Sequence, residues 1–140
     1  MKQYQTVFAV QTEGGHFTNI TNAVQNAVRQ SGITTGLMTL FIKHTSAALT
    51  VQENADPDVL YDLKNFFDRT VPQDNSLYVH TYEGKDDMPA HIRSTLTGVS
   101  LNIPVSNGKA TLGTWQAVYV CEFRNHSNIR NVVCHIIGEE

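Results

Sequence analysis

Gly113-Thr114-Trp115-Gln116-Ala117-Val118-Tyr119-Val120-Cys121-Glu122-Phe123-Arg124 reads as a long strand entered through a glycine turn. Trp115, Ala117, Tyr119, Cys121 and Phe123 share one face, and Gln116, Val118, Val120, Glu122 and Arg124 share the other, which is the period-2 alternation of β structure. Glu122 therefore lies beside two valines, and Arg124 is the expected ion-pair neighbour. Upstream, Ser100 to Val105 is extended, Pro104 hints at a sheet edge, and Asn107-Gly108 is a hairpin turn that returns the chain through Lys109 to Leu112. Downstream, Arg130 to Ile137 places Val133, His135 and Ile137 on one face and Val132, Cys134 and Ile136 on the other. The last part of the chain is thus a run of antiparallel strands.

Before it the periodicity alternates between strand and helix. Lys2 to Thr12 is a strand with Tyr4, Thr6, Phe8 and Val10 in phase, and Thr18 or Asn19 caps a helix whose Ile20, Ala23, Val24, Ala27 and Val28 recur at helical spacing up to Gly32. Leu37 to Lys43 carries apolar residues in both phases, so both of its faces are expected to be at least partly covered. Ala47 to Glu53 is a second extended run, joined to the first by His44-Thr45-Ser46, read as the turn of a hairpin. Asp56 caps a helix opened by Pro57, with Val59, Leu60, Leu63, Phe66 and Phe67 as its buried stripe, and Thr70-Val71-Pro72 ends it. A shorter helix starts near Met88 or Pro89, capped by Asp86-Asp87, with Met88, Ile92, Leu96 and Val99 as its buried line and Gly98 as its stop. The expected architecture is α+β: a layered, mostly antiparallel sheet sandwich with two longer helices and one short helix, as one domain over residues 1–140.

Composition excludes several classes. Hydrophobic content of 41% supports a normal core, and ten Lys and Arg against thirteen Asp and Glu leave no basic cluster for an electrostatic nucleic-acid surface. No run approaches the ~20 apolar residues of a membrane helix. The start Met1-Lys2-Gln3-Tyr4-Gln5 goes straight into alternating sequence, so a cytoplasmic protein is expected. Cys121 and Cys134, on consecutive strands and within reach across a hairpin, are expected as packed thiols, a catalytic Cys134 being the alternative.

Chemistry gathers on Gly84-Lys85-Asp86-Asp87-Met88-Pro89-Ala90-His91-Ile92-Arg93, with His80 just upstream. Two imidazoles and a carboxylate are a common ligand set for zinc or another divalent ion. His44 stays in phase with Met38, Leu40 and Ile42, and Glu53 with Leu49 and Val51, so each polar group must find a partner on an apolar face. They sit at opposite ends of strands ~20 Å long, so a site using both forms between subunits.

These segments also resemble a known family. His44-Thr45-Ser46-Ala47-Ala48-Leu49-Thr50 running into Glu53-Asn54, the Asp86 to Ile92 block, Ile103-Pro104-Val105 with Asn107-Gly108, Leu112-Gly113-Thr114-Trp115-Gln116 and Glu122-Phe123-Arg124 are similar to the YjbQ-like family, also called the secondary thiamine-phosphate synthase enzyme family. The resemblance implies an α+β sandwich that assembles as a homotrimer, with pockets between protomers that contain the shared histidines. It also implies a weak thiamine-phosphate synthase activity, joining the aminopyrimidine pyrophosphate to thiazole phosphate with release of pyrophosphate.

The family motif lands on His44, Glu53, Asn54, His80, Asp86, Asp87, His91, Trp115, Gln116 and Glu122. On this reading His44, Glu53, Asp87, His91 and Glu122 are the catalytic candidates. Asn54, Arg93, Trp115, Gln116 and Arg124 would hold a small phosphorylated metabolite, and His44, His80 and His91 would ligate zinc or magnesium. The alternatives are a hydrolase built on a His-bound zinc water and a non-catalytic small-metabolite binder.

Overall fold

The computed structural model describes residues 1–140 as eight strands and three helices. In order these are β1 Lys2–Gln11, β2 Phe17–Asn19, α1 Thr21–Ser31, β3 Thr35–Ile42, β4 Ala47–Glu53, α2 Pro57–Thr70, α3 Asp87–Thr97, β5 Ser100–Ser106, β6 Lys109–Ala110, β7 Gln116–Glu122 and β8 Ile129–Glu139. The strands form two antiparallel sheets, one ordered β1-β8-β3-β5-β6 and the other β2-β7-β4. This is the expected α+β sandwich, although α3 has 11 residues and equals α1 in length.

The alternation decides what lies between the sheets. Met38, Leu40 and Ile42 of β3 and Val132, Cys134 and Ile136 of β8 face inward onto Leu49 of β4, Val118 and Val120 of β7, and Val24, Ala27 and Val28 of α1. Each fully buried aliphatic side chain contributes about 1.5–3 kcal/mol by leaving water. The opposite face of the small sheet, through Ala48, Cys121 and Phe123, packs on Ala90 of α3 and Phe67 of α2. Local signals hold where they are strongest. Gly32 ends α1 in the left-handed conformation, Asp56 caps α2 through the Asp58 amide with Pro57 in its first turn, and Asn107 and Gly108 take φ of 53° and 72°. Positive φ at both turn residues matches the right-handed twist of a two-residue hairpin.

Four expectations fail, each for a tertiary reason. His44-Thr45-Ser46 is not a hairpin turn: β3 and β4 lie in different sheets, so the segment crosses between layers. Likewise β7 and β8 lie in different sheets, which separates Cys121 from Cys134. Both thiols are buried, and burial pushes them up to about 12 and about 11, so a catalytic Cys134 is not supported.

The Leu37, Thr39 and Phe41 face of β3 is partly covered, as expected, with Leu37 42% and Phe41 47% exposed. The stripe of α2 is only half-buried, and no α2 residue is fully enclosed. On α3 the expected apolar line is not the enclosed side: Leu96 is exposed and Met88 and Ile92 are half-buried, with only Val99 packed on the main core, while Asp87, Pro89, Ala90, Arg93 and Ser94 are inside. The Ser94 hydroxyl, donating to the Ala47 carbonyl at 2.9 Å, holds that polar side against β4, and the ion pairs of the first turn tie it to Arg124 just beyond β7.

Candidate functional site

The first turn of α3 is built on charge. Asp86 occupies the cap position but caps nothing with its side chain. Its Oδ2 instead accepts from Arg124 Nε at 3.0 Å and from the Asn125 amide at 2.9 Å. Arg124 Nη1 lies 2.9 Å from Asp87 Oδ1, and its Nη2 donates to the Glu83 carbonyl at 3.1 Å. One guanidinium from the end of β7 thereby fixes the loop before α3 and both carboxylates. Burial alone would raise both aspartates. For Asp86, Arg124 and the Asn125 amide outweigh it, and for Asp87, the His80 contact, Arg124 and His91 do, leaving both below the usual carboxylate range. Contact with Asp86 in turn raises the Arg124 guanidinium.

Asp87 then meets both histidines. Its Oδ2 is 2.7 Å from His80 Nε2 and 3.2 Å from His91 Nε2, and the two rings stand 5.5 Å apart at 70°. The three ligand-type atoms lie within 4.8 Å of one another. His91 and Asp87 are four residues apart on α3, the spacing that brings side chains together on one helix face. His80 arrives from the irregular segment after the 3₁₀ turn at Asn75–Leu77. The other nitrogen of His91, Nδ1, sits 3.0 Å from the Thr45 carbonyl.

His44 does not join this cluster. Its Nε2 accepts from the Asn131 amide at 2.9 Å, which leaves the Nδ1 proton as the donor of the neutral ring. Burial, then the Arg130 charge, lowers its pKa. His44 and His91 nevertheless line the same open depression of about 410 Å³, with Thr45, Ser94 and Thr95. The set that converges is therefore His80, Asp87 and His91, with Asp87 in the place expected for His44.

The remaining candidates divide. Glu122 is 0% exposed and accepts from the Thr12 hydroxyl, the Arg124 amide, Asn128 and the Arg130 guanidinium. Its partner is Arg130, not the expected Arg124. Arg130 also reaches the Ser46 hydroxyl at 3.0 Å, so this pair holds the loop carrying His44 rather than facing solvent. Arg93 is turned inward, donating to the Val71 carbonyl at 2.8 Å beside Asp68.

Glu53, Asn54, Trp115 and Gln116 gather at the far end of the small sheet. Glu53 pairs with Gln116 in register there, while Ala47 pairs with Glu122 at the histidine end. Glu53 accepts from the Asp56 amide, Gln116 from the Gly113 amide, and Trp115 is 63% exposed. Six residues of strand at ~3.3 Å each put ~20 Å between the two ends. Sequence reasoning missed Arg130 and the Thr45 carbonyl. Arg130 was legible, because it is in phase with the buried Val132, Cys134 and Ile136.

Comparison with known proteins identifies the family and agrees with the fold. The family model described as UPF0047 protein YjbQ-like matches residues 6–139. A UPF0047 protein of Synechocystis sp. is 49% identical over 99% of this chain and 94% of its own length. The YjbQ protein of Escherichia coli O157:H7 is 41% identical over 97% of this chain and 99% of its own. The crystal structure of a YjbQ/UPF0047 family protein from Clostridium acetobutylicum superposes with a TM-score of 0.86 at 38% identity, covering 94% of this chain and 99% of the other. None of these names states a reaction. The chain belongs to the YjbQ-like UPF0047 family.

Proposed function

We propose that this protein is a divalent-metal-dependent enzyme acting on a small phosphorylated metabolite, with His80, Asp87 and His91 as the ion's ligands. The observation that carries the proposal is a proton count at His91. Nδ1 faces the Thr45 carbonyl and Nε2 faces the Asp87 carboxylate, and both partners only accept. A neutral imidazole has one N–H, so one contact lacks its proton unless the ring is charged or a cation lies between Nε2 and Asp87. A ligating histidine whose second nitrogen donates to a backbone carbonyl is the usual pattern around protein-bound metals. Two imidazoles with one carboxylate suit zinc better than magnesium, which prefers oxygen donors.

A divalent ion held there supplies Lewis acidity and charge neutralisation for a phosphoryl or carbonyl oxygen. The chain's own groups do the rest. Arg124 keeps Asp87 ionised, the Thr45 carbonyl orients His91, and His44 offers an Nδ1 proton at the edge of the same depression. Arg93 and Arg124 are committed to Asp68, Asp86 and Asp87, which leaves the exposed Lys85 as the nearby cation for phosphate.

The specific transfer we carry is the thiamine-phosphate coupling, in which a carbon–nitrogen bond to the thiazole forms as the carbon–oxygen bond to pyrophosphate breaks. The second reading is hydrolysis, favoured because three protein ligands leave a position free, as in catalytic zinc sites. Incubating the zinc-loaded and magnesium-loaded protein with both coupling substrates separates them: thiamine phosphate with equimolar pyrophosphate supports the transfer, and inorganic phosphate from small phosphoesters supports hydrolysis. No turnover of either kind by metal-loaded protein leaves a metabolite-binding protein.

A homotrimer belongs to the same proposal. The open face of the large sheet carries two apolar rows, Ile137-Leu37-Pro104 and Val7-Val133-Phe41, on either side of the polar row Gln5-His135-Thr39-Asn102. Contact between copies would remove these rows from water and allow Glu53 of one protomer to approach a histidine site of another. No helix is long and apolar enough to cross a membrane. Buried thiols in different sheets suit the reducing cytoplasm proposed as its compartment.

A further inference from the structure

A second concavity lies beneath α2, away from the histidines. His91 and Arg93 are two positions apart on α3, so their side chains leave the helix about 200° apart. Arg93 points to the α2 side, where its side chain is 7% exposed and its Nε is buried with no hydrogen-bond partner. It borders a chamber of about 30 Å³ whose wall also includes Phe17, Lys64, Phe67 and Asn125. That chamber shares Gly15, Phe17 and Lys64 with an outer groove of about 190 Å³ walled by Leu60 and Tyr61.

Charge and shape in the two compartments differ. The outer groove is lined by Phe17, Leu60 and Tyr61 and exceeds the ~150 Å³ apolar cavity that accommodates a benzene ring. At the inner end Asp68 is shared: Lys64 Nζ lies 3.1 Å from its Oδ2 and Arg93 Nη1 3.4 Å from its Oδ1. Two cations against one carboxylate leave a surplus of one positive charge. Glu122 also touches the chamber, but Arg130 neutralises it. The half-buried stripe of α2 lies above, its apolar residues partly open to solvent.

From this geometry we infer a binding site for a small aromatic monoanion, with one ring between Phe17, Leu60 and Tyr61 and its anionic group toward Lys64 and Arg93. A ring there covers the open part of the α2 stripe, and the anionic oxygen meets the orphaned Arg93 Nε. The site is independent of the metal proposal, which lies on the other side of α3.

The test is an amide NMR titration of the whole chain with benzoate, benzenesulfonate, the neutral benzamide and acetate, repeated on Lys64→Gln. Saturable shifts at Gly15, Phe17 and Lys64 with either aromatic anion are expected, and the better of the two identifies the head group. Benzamide should bind about tenfold more weakly, and Lys64→Gln should weaken benzoate roughly fivefold because Lys64 is half exposed. Three outcomes overturn the inference: no saturable shift at these amides up to ~10 mM, near the weak limit of specific binding; equal binding of benzamide and benzoate; or shifts centred on His80 and His91. In the first, the chamber holds only a water bridging Arg93.

Discussion

Replacing Glu122 by Gln tests the most enclosed charge in the molecule. Glu122 has no exposed surface, and Arg130 is 6% exposed, with its Nε donating to Glu122 at 2.8 Å. The amide keeps the volume but has one acceptor oxygen where the carboxylate has two: Oε1 accepts from the Thr12 hydroxyl, Asn128 and Arg130 Nε, and Oε2 from the Arg124 amide and Arg130 Nη2, so the charge opposite Arg130 is lost and the new NH2 group faces donors. Removing one partner of a buried ion pair costs about 3–5 kcal/mol, because the other charge remains without compensation. With an unfolding entropy of ~2.1 cal/mol/K per residue over a chain of this length, each kcal/mol moves Tm by about 3–4 °C. The expected drop is therefore on the order of 10–17 °C, read by circular dichroism at fixed protein concentration so that assembly does not confound it.

Adding Arg130→Met should return part of the loss, since two neutral groups no longer leave a buried charge. The pH dependence has a defined sign. Burial would raise Glu122, but Arg130, Thr12 and the Arg124 amide outweigh it and hold the group below its ordinary 4.5. A depressed carboxylate contributes stability that is fully present above pH 4.5 and is lost as pH falls through the lower folded value, and the Gln variant should lose that portion of the acid dependence. A Tm within a few degrees of the native protein, with an unchanged acid limb, would refute the reasoning.

Other outcomes follow from the same structure. Cys121 and Cys134 should resist a thiol reagent at neutral pH in the folded protein and both react in denaturant; rapid labelling of either in the native state contradicts the burial that raises them to about 12 and about 11. Gly108→Ala should cost about 1–2 kcal/mol by urea unfolding, because the turn holds φ at 72°, where a Cβ is unfavourable. Phe41→Asp with Leu37→Asp, on the open sheet face, should reduce the proposed trimer to a monomer by light scattering; an unchanged mass removes that face from the assembly.

The sandwich was legible because its strands announce themselves twice, by alternation and by turns such as Asn107-Gly108. Partnership between sheets was not. A short connection like His44-Thr45-Ser46 reads as a hairpin, and only the packing of Met38, Leu40 and Ile42 against Leu49 shows that it crosses layers. The site shows the same division. His80, Asp87 and His91 stood out as residue types near one another, and the structure brings them together. The inward side of α3 was misread because ion pairs and Ser94, rather than apolar spacing, orient it. Arg130, to which the sequence assigned no role, takes the Glu122 pairing expected of Arg124, since residues of different strands in different sheets meet only once both sheets are placed.

The central claim rests on His80, Asp87 and His91 holding a divalent ion. The most direct measurement is metal content by mass spectrometry of the protein after incubation with zinc and desalting, beside His80→Ala, His91→Ala and His44→Ala. The account predicts about one ion per chain in the native protein and in His44→Ala, and its loss from His80→Ala and His91→Ala, as a three-ligand site requires. No bound metal in the native protein, or metal retained after removal of His80 and His91, would contradict it.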